Sequence, residues 1–382
     1  MVLSLFSDTF IWMNERQILV YNCGNGTYCE VETNPTLASL CKHLQAGINL
    51  YSSEIDESDM ISMRFAQAMV GNNLGILHEI DNYISFPPIL KIQEHMTNDR
   101  IQKHMDSRYN LRSISLFIGG KCNGNDLLCL QSDYPISSDA IMSCRAATDI
   151  IQKYSRLADE VRIIISDINK TESLKELLDL ILGMGNKVVL CLRMNDEDID
   201  EVIKRMGSTQ TQLRLVGFPE DYVKYVAQKD LHDSVELEFL VGSNQDYQFV
   251  EALPESIQDC MSVVPVFDGT NRTFIEENIR IDKATLLGTK RSKRHVFIHQ
   301  KINSELYGRL FIYPDGSIRP SPIACPIGSI ETSPHDVILE ALAPDSPWYN
   351  VRGGVCETCL YKYLCPSPSI LETLIKMMCV LK

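Results

Sequence analysis

Short apolar runs recur through the middle of the chain: SISLF (114–118), VRIII (161–165), KVVLC (187–191), QLRLV (212–216), VELEFLV (235–241) and SVVPVF (262–267). Helical patterning fills the intervals at 138–157, 171–184, 196–206 and 219–228. Runs this short and this rich in β-branched residues read as strands, each followed by a helix. Repetition of that unit at roughly 22 to 27 residues predicts an α/β fold with a parallel sheet, curved into a partial barrel, because parallel neighbours need a crossover long enough to hold a helix. Ligands of such sheets sit at the carboxyl ends of the strands, so the loops after 118 and 165 are the expected place for a site.

The flanks have a different texture. QILVYN (17–22) and TYCEVE (27–32) surround Asn25-Gly26, a pair suited to a tight turn, and predict a β-hairpin. Helical patterns follow at 35–46 and 57–71, and Phe86-Pro87-Pro88 stops any further helix, so residues 1–88 form a small α+β module. The strand–helix repeat occupies 110–294. A third segment, 295–382, opens with strand candidates HVFIH (295–299) and GRLFIY (308–313), turns at Pro314-Asp315-Gly316 and closes in a short helix near 369–379. The basic run KRSKR (290–294) reads as a solvated turn ahead of the first of these strands.

At 382 residues the chain exceeds what one core holds, in keeping with this division. Its net charge of -14 argues against nucleic acid as a partner. No window approaches the roughly 20 apolar residues of a membrane span, and the first residues have neither the basic region nor the cleavage site of a secretory signal. A cytoplasmic location is expected. Thirteen cysteines, an odd number, favour free thiols and metal ligation over disulfides. Cys23, Cys29 and Cys41 lack metal spacing and read as packing residues.

Cys356, Cys359 and Cys365 stand apart as a C-x2-C-x5-C array. Thiolates grouped in this way suit zinc or an iron–sulfur cluster, and composition does not choose between them. The fourth donor is Cys379, with Cys325 in reserve. Lone histidines at 299 and 335 have no partner carboxylate at a telling spacing and read as structural. NDEDIDE (195–201) reads as a helix start, where acidic side chains complement the dipole, and Gly183-Met184-Gly185 as a helix end.

The array follows YPDG (313–316) and PIGSI (326–330) and continues through CLYKYLCPSPS (359–369) to MMC (377–379). In these features it resembles the SPASM domain, the C-terminal auxiliary-cluster module of radical S-adenosylmethionine (SAM) peptide-modifying enzymes, and especially SPASM-bearing proteins of Bacteroidales ribosomal-peptide systems, including their pseudo-radical-SAM members. The resemblance implies a partial (β/α)6 radical-SAM-like barrel followed by a SPASM-like cysteine domain. It assigns Cys356, Cys359, Cys365 and Cys379 to one [4Fe–4S] cluster. The cysteines of a second auxiliary cluster fall on Ser321 and Ser369, so that cluster should be absent, hydroxyls being poor iron donors.

The same resemblance places the catalytic cluster in the loop after the first strand, with a C-x3-C-x2-C motif. Cys122 and Cys129 match its outer positions and Asp126 stands at the middle one. The Gly-Gly-Glu motif that meets SAM would follow the second strand, where the chain has Asp167-Ile168-Asn169. Both departures imply that SAM is not cleaved and that no catalytic residue remains; Cys122 and Cys129 then read as ordinary thiols. The expected function is a non-catalytic protein that assists maturation of a ribosomal peptide by binding the precursor peptide or a partner modifying enzyme. A divergent radical-SAM or redox enzyme and a zinc-stabilised interaction protein are the alternatives. The 1–88 module is similar to the winged-helix recognition element that binds a leader peptide by strand addition.

Overall fold

The computed structural model describes residues 1–46, 49, 51–80, 111–120, 126–134, 138–165, 177, 187–196, 199–206, 211–227, 231, 234–279, 281–350 and 356–375. The N-terminal residues form two small antiparallel sheets. β1 (Val2–Leu5) lies between β5 (Ser52–Glu54) and β6 (Gly75–His78), while β2 (Thr9–Met13), β3 (Gln17–Asn22) and β4 (Tyr28–Glu32) form the other. The expected hairpin is β3–β4, but its connection runs from Cys23 to Thr27 and is longer than a two-residue turn. Asn22 accounts for this: its side-chain oxygen accepts the N–H groups of Gly24 and Asn25, and Gly26 takes a φ of 81°. Helices α1 (Pro35–Gln45) and α2 (Met60–Gly71) start at side-chain caps, Asn34 and Asp59. Their buried residues, Leu37, Leu40, Cys41, Phe65 and Met69 among them, close a core on Leu3, Leu5, Ile18 and Val20.

Among the described residues a ten-stranded sheet organises the remainder. Its parallel strands are β7 (Leu111–Gly120), β9 (Ala158–Ile165), β10 (Lys187–Arg193), β11 (Gln212–Gly217), β12 (Val235–Val241) and β13 (Met261–Pro265), in that spatial order. All six coincide with the apolar runs of the sequence. β14 (Arg309–Ile312) then pairs in parallel with the free side of β7, so the C-terminal segment extends the same sheet. β15 (Ser317–Arg319) and β16 (Gly328–Ser329) continue it antiparallel, the β14–β15 turn using Gly316 at a φ of 82°.

Two segments depart from expectation. Residues 138–157 begin as a strand, β8 (Ser138–Ile141), paired antiparallel to the end of β7, before helix Cys144–Tyr154 starts at the cap Ser143. HVFIH is helical: Lys293–Lys301 forms a helix capped by Ser292, whose hydroxyl accepts His295 N–H, so KRSKR leads into a helix. Local capping and burial of Val296 and His299, three residues apart on one face, override the strand preference of Val, Phe and Ile. NDEDIDE does lead into a helix, Ile199–Met206, with Asp200 and Glu201 in its first turn. The 219–228 pattern becomes one helical turn, Pro219–Asp221, continued as π-helix at Tyr222–Val226. Most of 171–184, and Gly183 to Gly185, lie outside the described residues.

One face of the large sheet is apolar. Ile114, Leu116, Val161, Ile163, Leu190, Leu213, Leu215, Leu237 and Phe239 lie on it, in a core shared with the Cys144–Tyr154 helix through Ala147, Ile150 and Ile151. Alternation along each strand sends the intervening residues to the other face: Ser115, Arg162, Cys191, Arg214, Glu236 and Glu238.

Candidate functional site

A polar face in the middle of a parallel sheet is costly to bury unless its charges are paired. A short helix, α3 (Asp126–Gln131), follows β7 in the chain and packs on this side of the sheet through Leu128 and Cys129. Leu128 and Cys129 of α3, with Tyr134, pack on Val216, Leu240 and Val266 in a small separate core. Gln131 locks the helix to the end of β13: its amide donates to Phe267 O at 2.9 Å and its Oε1 accepts Phe267 N–H at 2.8 Å.

The turn after α3 places Asp133, only 5% exposed, among three arginines from three strands. Arg162 of β9 donates to its Oδ2 at 2.6 Å, Arg214 of β11 approaches the same oxygen at 3.8 Å, and Arg309 of β14 approaches Oδ1 at 3.8 Å. Ser115 of β7 donates to Oδ1 at 3.3 Å. Burial by itself would raise the Asp133 carboxyl, but Arg162, then Arg309 and Arg214, hold it below the usual carboxylate range. Arg162 also pairs with Glu160, and Arg214 with Glu236 at 2.9 Å.

Glu238 is placed differently. Among the described residues its nearest cation is Arg214 at 3.7 Å, and burial, reinforced by the charge of Asp133, raises its carboxyl to about 7. Burial likewise raises Glu305 and lowers Arg309. This cluster was legible in part. The alternation R-I in VRIII, Q-L-R-L in QLRLV and E-L-E in VELEFLV is a period-two polar pattern that a sheet buried uniformly on both faces would not carry.

The expected site loops are described only in part. Cys122 and Asp167 to Asn169 lie outside the described residues, and Asp126 is placed by its backbone at the start of α3. Cys129, the other outer position of the motif, is buried in the α3 core.

The cysteine array occupies a turn-rich segment, 356–365, whose three thiols are half-buried. Leu360, Tyr361 and Leu364 anchor it in a core with Phe10, Leu19 and Tyr21 of the N-terminal sheet and with Leu286, Leu287 and Val296. Polar contacts fix the same join. Asn14 donates to Thr358 O at 3.2 Å, Tyr361 Oη donates to Glu30 at 3.0 Å, and Lys283 pairs with Glu30 at 2.5 Å. Trp12 and Tyr363 rings lie 5.9 Å apart. His299 is structural here, its Nδ1 lying 3.2 Å from Tyr363 O, and His335 is exposed.

Cys356, Cys359 and Cys365 share one anchored segment, and thiolates are the donors such a centre takes, but the structure does not bring these three together as a metal-holding group. Cys379, the expected fourth donor, lies outside the described residues. Among the described residues no three His, Cys, Asp or Glu side chains form a group that could hold a metal ion. Cys325, the reserve, is exposed. Ser369 has a clear local role: its hydroxyl accepts Glu372 N–H at 3.1 Å while Glu372 accepts Ser369 N–H at 2.7 Å, a reciprocal cap at the start of helix Ile370–Ile375. Ser321 is buried, and its hydroxyl has no hydrogen-bond partner among the described residues.

No family model matches the chain, and no curated protein does. Solved structures of SuiB from Streptococcus suis align with nearly the whole of it. The crystal structure of SuiB bound to the precursor peptide SuiA has 12% identity and a TM-score of 0.46, covering 99% of this chain and 97% of that one. SuiB alone has 12% identity and a TM-score of 0.45, covering 98% and 97%. SuiB bound to S-adenosylmethionine has 11% identity and a TM-score of 0.46, with the same coverage.

Proposed function

We propose that this chain is a SPASM-type, pseudo-radical-SAM protein that assists the maturation of a ribosomally made peptide by binding the precursor or a partner modifying enzyme, without cleaving SAM. The observation that carries this reading is the placement of α3. In a radical-SAM-like partial barrel the loop after the first strand must present three thiolates to a cluster and leave room for SAM. Here that stretch has Asp126 at the middle position, buries Cys129 against Val216, Leu240 and Val266, and sends Asp133 onto the arginines of the polar face. Asp133 thus takes up part of that face's charge, Arg162 above all.

In this reading 1–88 is the peptide-binding module, 110–294 the degenerate barrel, and 295–382 the SPASM-like domain, which lends β14 to the barrel sheet. Cys356, Cys359, Cys365 and Cys379 hold one [4Fe–4S] cluster, or zinc in its place, and the centre when bound supplies a thiolate cross-link that ties down the terminal segment. Docking of that segment on β2 and β3 joins the metal-binding end of the chain to the peptide-binding end. A reducing cytoplasm suits thirteen cysteines, and among the described residues no helix is long and apolar enough to cross a membrane.

Anaerobic purification followed by iron, sulfide and zinc analysis tests the assignment. The expected result is about four irons per chain, or about one zinc, and no 5′-deoxyadenosine above background when dithionite-reduced protein is incubated with SAM and precursor peptide. About eight or more irons, or SAM cleavage dependent on the protein, overturns it.

A further inference from the structure

Beside the Asp133 cluster lies a cavity of about 140 Å³, lined by Gln131, Asp133, Arg162, Glu238, Glu305 and Arg309 among others. Gln131 and Glu305 are half-buried, which gives solvent a route to it. Its charges are unevenly satisfied. Arg162 is taken up by Asp133 and Glu160, and Arg214, behind it, by Glu236. Arg309 is not: its nearest carboxylate among the described residues is Asp133 at 3.8 Å, its Nε is buried without a hydrogen-bond partner, and its remaining support is the Phe311 ring at 5.1 Å. Among the described residues Glu238 has no cation closer than 3.7 Å, and the half-buried Glu305, whose carboxylate accepts the Ile370 N–H, lines the same space.

An isolated anion would suit Arg309 but meet two carboxyls. An isolated cation would suit the carboxyls but meet Arg309. A molecule carrying both charges answers each. The volume has room for a small amino acid. We propose that this cavity binds a small free zwitterion of the α-amino-acid type, with its carboxylate against Arg309 and its ammonium beside Glu238. The inference stands apart from the peptide-maturation reading, since its ligand site uses none of the cysteines.

Binding sets an ammonium beside Glu238 and favours its ionised form, so complex formation near neutral pH releases a proton. Asp133, Arg162, Arg214, Arg309 and the buried Cys191 thiol face Glu238 from the neighbouring elements. Titration calorimetry and thermal unfolding of the full chain with glycine, L-alanine and L-valine provide the test, with N-acetyl-L-valine and L-valinamide as singly blocked controls. At least one free amino acid should bind and raise Tm by about 3 °C at roughly a hundredfold excess over Kd. Each blocked form should bind at least about tenfold more weakly, and the measured heat should vary with the ionisation enthalpy of the buffer. Glu238→Gln should retain the fold and lose the proton release. No binding of any of the three below about 10 mM, water being then the only occupant, or equal binding of free and blocked forms, would overturn the proposal.

Discussion

Replacing Glu238 by Gln should stabilise the protein, and only at neutral and alkaline pH. The carboxyl stands at about 7 in the fold against an ordinary 4.5, first because burial disfavours its charged form and then because Asp133 repels it. Its side chain is 9% exposed, so solvent screens little of this. At about 1.4 kcal/mol per pH unit the gap corresponds to roughly 3 kcal/mol. The sign follows from linkage. Below 4.5 the group is protonated whether the chain is folded or not and contributes nothing. Between 4.5 and about 7 the unfolded chain ionises while the folded one keeps its proton, so stability falls as pH rises, and above about 7 the full penalty is present. Gln keeps the shape and avoids the ionisation, and Arg214 retains Glu236 at 2.9 Å. Urea and thermal unfolding without added ligand should therefore show a gain of about 3 kcal/mol, or about 4 °C in Tm, at pH 8, shrinking below about 1 kcal/mol at pH 5. An equal gain at both pH values, or a loss at pH 8, would refute the reasoning.

Asp133→Asn should act in the opposite direction, costing about 3–5 kcal/mol at pH 7 because Arg162, Arg309 and Arg214 lose their shared carboxylate in a buried setting. Its carboxyl is held low, so this contribution exists above the unfolded value of about 3.9 and disappears as pH falls through the lower folded one; denaturation curves of variant and parent should converge in acid. Gly75→Ala should cost about 1–3 kcal/mol in thermal unfolding, since a Cβ there would lie 2.6 Å from Ser4 O and force β6 away from β1; an unchanged Tm would contradict this. Cys359→Ser, or removal of metal by a chelator, should loosen 356–365 from the N-terminal sheet and change the emission of Trp12, which faces Tyr363, whereas a Trp12→Phe background, leaving only the buried Trp348, should be silent. Unaltered emission with metal lost would separate the cysteines from that contact.

The sequence by itself determined what depends on neighbours along the chain. Six apolar runs became the six parallel strands β7 and β9 to β13, because a short β-branched stretch flanked by helix-length segments has few other ways to bury itself. The cap residues at Asn34, Asp59 and Ser143, and the Ser369–Glu372 pair, bond across three residues or fewer and were present in the letters. HVFIH has the composition of a strand but is helical, because the Ser292 cap and the burial of Val296 and His299 decide it, and burial belongs to the fold. Only the tertiary structure placed β14 beside β7, brought Arg162, Arg214 and Arg309 from three strands onto one aspartate, and seated the cysteine turn on residues more than three hundred positions away. The alternating charges in β9, β11 and β12 announced a polar face. Which charges found partners, and that Glu238 and Arg309 were left facing a cavity, depends on distances of a few ångströms across the sheet, which a linear pattern does not carry.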